Sequence, residues 1–251
     1  MRSSAASDVY KRQAKKEDRQ EFARWTYYDM VRDLTAFAKK YNPDFHVCYN
    51  KGHLGYLDKP VKEDYSYFSF ESLPGVEWGY LDFPVSAKYM RNFGKECLGL
   101  TSRFHTEWGD FHAFRNEAAM EYEVFSMLAH GCKCTIGDQM DYWGKLNTDM
   151  YKQIGRVYKS VEEKEPWCEN AKPISEIGVF TAEEFYATGV AGHIPGASEG
   201  VARLLMELGY QFDFIDSTLD FDKYRLLILP DVIPVDEELR DKLSTLSLIH
   251  I

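Results

Sequence analysis

Short apolar runs alternate with longer stretches of helical periodicity through the first two-thirds of the chain, and this alternation limits the fold more than any single motif does. The runs are 44–50 (DFHVCYN), 65–70 (YSYFSF), 97–104 (CLGLTSRF) and 132–136 (CKCTI), each bounded by proline, glycine or polar residues as buried strands are. Between and around them, 21–40, 85–93, 116–130 and 146–161 read as helices. In the first helix Phe22, Trp25, Tyr28, Met30, Leu34 and Phe37 recur at helical spacing, which predicts that this stripe faces the core. The 116–130 helix carries acidic residues in its early turns, His130 in its last turn and Gly131 at the position that ends it.

Strands joined through helices run parallel, so the expected class is α/β. Four such units make half of an eight-stranded barrel, which in full takes about 250 residues. The stretch from 14 to 172 is too short for a complete barrel, and the other half is expected upstream. Past the proline-bearing run EKEPWCENAKPISE a second α/β unit begins, with strands expected at 177–181, 211–215 and 225–229 and a helix at 198–208 closed by Gly209.

The two ends of the chain carry a separate signal. The last six residues, LSLIHI (246–251), can be encoded by CTG TCT CTT ATA CAC ATC, whose reverse complement encodes DVYKRQ, residues 8–13. Inverted copies of one DNA element at both termini read as a translated sequencing adapter, with SSAAS (3–7) as its matching part. Residues 1–13 and 246–251 are therefore set aside as non-native. The domains expected are the half-barrel at 14–172 and a partial second unit at 173–245.

Charge and hydropathy narrow the partners. With 30 Lys and Arg against 40 Asp and Glu, the net charge is −10, and no basic cluster offers a nucleic-acid footprint. No apolar run approaches the roughly 20 residues that a spanning helix needs, so a membrane is not an expected partner either. The five cysteines (Cys48, Cys97, Cys132, Cys134, Cys168) are sparse and odd in number, and read as small buried hydrophobes of a reduced protein. That usage favours a cytoplasmic setting, with the native N-terminus outside this sequence. Cys132 and Cys134 share a strand face, but with no second cysteine pair near them no metal site is expected, nor any other cofactor.

The runs ESLPGVEWGY (71–80), SRFHTEWGDF (102–111), LAHG (128–131), IGDQM (136–140) and IGRVYKSVEEKEPW (154–167) together resemble glycosyl-hydrolase barrels related to family 42 β-galactosidases and, more loosely, to α-L-fucosidases. The region after them resembles the β-galactosidase trimerisation domain, an amidotransferase-like or flavodoxin-like α/β fold. The resemblance implies a carbohydrate substrate, a two-carboxylate mechanism and a homotrimeric parent. It also sets the strand count: if the last visible barrel strand is the eighth, Glu71 ends the sixth and Glu107 follows the seventh, where retaining barrels of this type keep the nucleophile. Catalytic residues of such barrels sit at the C-terminal ends of strands.

Glu107 and Glu71 are accordingly the catalytic candidates. Each has a plainer reading, Glu107 as a solvated loop carboxylate and Glu71 as the cap of a turn. Asp138 at the end of the last strand, Arg103, His105 and Asn50 are candidates for substrate contact through hydrogen bonds. Trp78, Trp108 and Trp143, all in expected loops at the same end, are candidates for stacking on a sugar face, although a tryptophan packing a loop is the commoner case. No cysteine occurs from 172 to 251, so the visible part of the second unit carries no thiol nucleophile for glutamine hydrolysis. The isolated chain is expected to be inactive. The competing reading is a non-catalytic carbohydrate-binding or assembly protein with a degenerate barrel.

Overall fold

The computed structural model describes residues 15–75, 78–106, 108–186 and 194–249. The chain opens with α1 (Lys16–Tyr41) and a 3-10 helix (Tyr56–Asp64). The first unit continues with β1 (Phe68–Glu71), α2 (Asp82–Met90), β2 (Cys97–Ser102), α3 (Glu117–Ala129), β3 (Lys133–Gly137), α4 (Thr148–Glu162) and the short α5 (Glu165–Cys168). The second contains β4 (Ile177–Phe180), α6 (Glu183–Tyr186), α7 (Gly196–Glu207), β5 (Phe212–Ile215), β6 (Leu226–Ile228) and α8 (Glu237–Ile249). Two three-stranded sheets result, in the orders β1-β2-β3 and β5-β4-β6, and every pairing in them is parallel.

Local chemistry explains the helix ends. The Asn116 side chain accepts a hydrogen bond from Ala118 N at 2.8 Å, and Asn147 caps α4 through Asp149 N and Met150 N. Gly131 and Gly209, each just past a helix, take φ of +77° and +75°, where a Cβ would be strained.

Two sequence expectations fail, and for related reasons. The run 44–50 forms no strand among the described residues. Its contact with the β1 segment is irregular: the Val47 carbonyl accepts from Ser66 N at 2.8 Å, but Val47 N donates to the Ser66 hydroxyl instead of to a ladder carbonyl. Only an isolated bridge joins Lys51 to Phe70. A hydroxyl has taken the place of a ladder acceptor, so the sheet has three strands and not four.

The face of α1 is also reversed. Phe22, Trp25, Met30, Leu34 and Phe37 are 44 to 62% exposed, while Val31 and Thr35 are buried. The inner face carries polar ends that find matching partners: Tyr27 Oη donates to Asp58 at 2.9 Å, Tyr28 Oη to the Leu57 carbonyl at 2.8 Å, and Thr35 pairs with Tyr49 Oη at 2.7 Å. Tyr28 alone of the expected stripe turns inward. Of the segments set aside as non-native, 1–13 lie outside the described residues, and the backbone of 246–249 continues α8. No described helix is long and apolar enough to cross a membrane.

The core is continuous across both units because α2 is buried along its whole length. It packs between the first sheet, through Phe83 against Phe70, and the second unit, whose Phe212, Phe214 and Leu205 belong to the same cluster as its own Met90. A helix in that position must carry its polar groups inside. Lys88 Nζ reaches the Phe212 carbonyl at 3.3 Å, Tyr89 Oη donates to Asp216 at 2.7 Å, and Arg91 Nη2 pairs with Asp213 at 2.5 Å just beyond the helix.

Candidate active site

The C-terminal ends of β1, β2 and β3 lie side by side, since Glu71 pairs with Leu100 and Ser102 with Gly137. Glu71 is half-buried at the end of β1, its backbone N–H held by the Gly52 carbonyl at 2.9 Å. Its carboxylate has no hydrogen-bond or ion-pair partner among the described residues, and burial raises its pKa above the usual carboxylate value. Glu107 lies outside the described residues.

Arg103, just past β2, is 3% exposed. Its Nε donates to Asp138 Oδ1 at 2.5 Å, and its guanidinium lies over the Phe104 ring, 4.2 Å from the centroid. Asp138 Oδ1 also accepts from Gln139 N at 2.7 Å, and burial followed by the nearby Asp138 charge raises the pKa of the Tyr151 hydroxyl on α4. Arg103 Nη1 is buried and has no hydrogen-bond partner. A fixed guanidinium with an unpaired terminal nitrogen is equipped to receive an anionic or hydroxyl oxygen.

Behind these residues runs a buried brace that the sequence did not disclose. Glu123 on α3 accepts from Thr101 in β2 and from Arg115, and Arg115 Nη1 also reaches the Ser102 carbonyl at 3.3 Å. It locks the end of β2 to α3, so that Arg103 projects from a rigid support.

The remaining candidates divide. Trp108 covers Gly137, where a Cβ would fall 2.5 Å from its ring, and stands edge-on to Phe104 at 5.6 Å. It therefore lies directly over the strand end that leads to Asp138. Trp78 packs over Gly52 in the same manner, beside the carbonyl that holds Glu71. Trp143 is 71% exposed and stacks on Tyr142, with ring centroids 4.5 Å apart and no aromatic contact to Phe104 or Trp108. His105 and Asn50 are exposed, and neither side chain makes a hydrogen bond among the described residues. Thus Arg103, Asp138 and Trp108 are brought together, Glu71 and Trp78 form a neighbouring pair, and Trp143, His105 and Asn50 join neither.

A second buried charged cluster lies where the two units meet. His53 Nε2 pairs with Glu183 Oε1 at 2.8 Å, and its Nδ1 faces Ser86 Oγ at 2.8 Å and Asp82 at 3.7 Å. Tyr56 N donates to the other Glu183 oxygen at 2.9 Å. Gly55 allows this approach, because a Cβ there would collide with the Glu183 carboxylate. Burial alone would disfavour charge on His53, but Glu183 and Asp82 outweigh it and raise its pKa to about 10. Burial acts on Glu183 in the opposite sense to the His53 charge, and the histidine prevails, lowering its pKa. The cluster ties the 3-10 helix and α2 of the first unit to α6 of the second. Among the described residues no group of three or more His, Cys, Asp or Glu side chains is arranged to hold a metal.

No protein-family model matches the sequence, and no curated protein matches it. Among solved structures the chain is similar to α-L-fucosidase isoenzyme 2 from Paenibacillus thiaminolyticus, with 32% identity and a TM-score of 0.86. The fold is glycosyl-hydrolase-like. The match covers 94% of this chain and 36% of the fucosidase, so the chain spans little more than a third of the structure it resembles.

Proposed function

We propose that residues 14–172 are the C-terminal half of a glycoside-hydrolase (β/α)8 barrel whose parent cleaves O-glycosidic bonds, α-L-fucosides being the first substrates to try and β-galactosides the second. The observation that carries this reading is the likeness to the fucosidase over nearly the whole chain. The first sheet supports it. Its helix side is buried through Phe68, Phe70, Cys97 and Thr101, whereas Ser69, Glu71, Leu98, Leu100 and Thr135 on the other face are only half-buried. Parallel sheets are normally covered on both faces, and a barrel interior supplies the missing cover here.

In this reading one carboxyl protonates the leaving oxygen while the other attacks the anomeric carbon or activates water. Glu107 is assigned as the nucleophile, on its place after the seventh strand of the count. Glu71, unpaired and with a raised pKa, suits the protonated partner unless an upstream residue fills that role. Arg103, fixed by Asp138, would present its free Nη1 to a sugar oxygen, with Trp108 against an apolar sugar face. Residues 173–245 would form the start of an amidotransferase-like or flavodoxin-like association unit of a trimer, a reading supported by the parallel order β5-β4-β6 with its first strand in the centre. The isolated chain, with only half of the barrel, would not turn over substrate.

The test uses the full-length parent with aryl α-L-fucosides and aryl β-galactosides. Glu107→Gln is expected to abolish turnover on both activated and unactivated leaving groups. Glu71→Gln is expected to cost about 100-fold or more on unactivated leaving groups and much less on nitrophenyl glycosides, because a good leaving group needs no proton. Wild-type rates for Glu107→Gln would remove the nucleophile assignment, and a parent inert on all glycosides would remove the function.

A further inference from the structure

The edge of the first sheet remote from Glu71, Arg103 and Asp138 opens on a cavity of about 680 Å3. Three of the five cysteines line it: Cys97, Cys132 and Cys168. Cys97 opens β2 and Cys132 immediately precedes β3. The register that pairs Leu98 with Lys133 sets Cys97 beside Cys132 one step earlier on the ladder. Adjacent strands lie about 4.8 Å apart, within the Cα separation of roughly 4.4 to 6.8 Å that a disulfide spans. Both side chains belong to the same core cluster, and the Cys97 thiol donates to the Lys95 carbonyl at 3.8 Å.

We propose that Cys97 and Cys132 are a thiol pair built for oxidation, closed to an intramolecular disulfide by a small disulfide of the glutathione class entering through this cavity. Cys97 is the attacking member in this scheme. Its thiolate displaces one thiolate from the external disulfide and forms a mixed disulfide. The Cys132 thiol then passes its proton to the departing thiolate, and its sulfur attacks Cys97 Sγ, releasing the second thiolate, which takes up the proton that Cys97 gave to solvent. In sum, two protein thiols become one disulfide and the external disulfide becomes two thiols. The neighbouring Cys97 thiol and then burial hold the Cys132 thiol well above its usual pKa, so the second step is the slow one. The product staples β2 to β3 at the end opposite the candidate active site.

The chain itself is the test material. It is equilibrated in buffers of stepped ratio of oxidised to reduced glutathione, quenched with acid, alkylated under denaturing conditions, digested and mapped by mass spectrometry. The expected result is a peptide linking Cys97 to Cys132 that appears before any link to Cys168, Cys48 or Cys134, and a higher unfolding temperature for the linked form. In Cys132→Ala, Cys97 should stop at the mixed disulfide with glutathione. The wild-type map decides even if that variant fails to fold. Recovery of Cys97 and Cys132 both alkylated while Cys168 or Cys48 carries glutathione, or a preferred link from either to another cysteine, overturns the proposal.

Discussion

Changing Glu183 to glutamine removes one charge from the buried His53 cluster and leaves its shape intact. A histidine whose pKa rises from 6.5 to about 10 on folding binds its proton more tightly in the folded state. Its contribution is complete below pH 6.5, where both states are protonated, and is lost as pH climbs towards 10, where the unfolded ring has already released its proton. At about 1.4 kcal/mol per tenfold change in proton affinity, the whole window is worth on the order of 4–5 kcal/mol. That agrees with the roughly 3–5 kcal/mol that breaking a buried ion pair costs. Glu183→Gln is therefore expected to lower stability by about 3 kcal/mol at pH 7, since Asp82 remains to support part of the charge and the new amide leaves Tyr56 N or His53 facing a donor. The assay is denaturant unfolding followed by tryptophan fluorescence from pH 6 to 10, read as the difference between wild type and variant. That difference should hold until pH passes the variant's own His53 pKa and then shrink towards pH 10. A loss under about 1 kcal/mol, or a difference that stays constant across the window, would show that the pair does not hold the charge assigned to it. Gly55→Ala, which displaces the same carboxylate by bulk alone, should reproduce the effect.

Other consequences can be checked alongside. Lys88 is buried with a single backbone partner, and burial first, then Arg91, lowers its pKa to about 8 against the pull of Asp213. The unfolded lysine thus binds protons more tightly, so its cost is full below pH 8 and stability rises from it between about 8 and 10.5; Lys88→Met should be neutral or stabilising by about 1–3 kcal/mol at pH 7 and should erase that rise in denaturation curves. Gly99→Ala would drive a Cβ into Met127 and Phe83 and should cost about 1–3 kcal/mol of unfolding free energy by overpacking. An unchanged denaturation midpoint would mean that α2 and α3 can move apart there.

What could be read from the sequence was what each stretch decides by itself. The strands now labelled β1 to β6 and the longer helices α2, α3, α4 and α7 fall close to where apolar runs and 3.6-residue spacing put them, because period and capping act within a turn or two of chain, whereas the short α5 and α6 were not expected. Gly131 and Gly209 close their helices as the residues alone lead one to expect, and Asn116 and Asn147, seen as caps in the structure, act through equally local chemistry. The neighbourhood of the candidate site was legible in part as well: Arg103, Asp138 and Trp108 were picked from motifs at strand ends, and the parallel register then joined them.

Tertiary structure decided what depends on a distant partner. The more apolar stripe of α1 faces outward because the 3-10 helix offers oxygens that Tyr27 and Tyr28 can satisfy and a greasy face cannot. The run 44–50 has a strand's composition, yet it pairs too irregularly to be one. Glu183 meets His53 across 130 positions, and Cys97 meets Cys132 only because two strands align. Periodicity is a property of neighbours in sequence, whereas which face is buried, and which charge is answered, is fixed by the free energy of groups that meet only once the chain has folded.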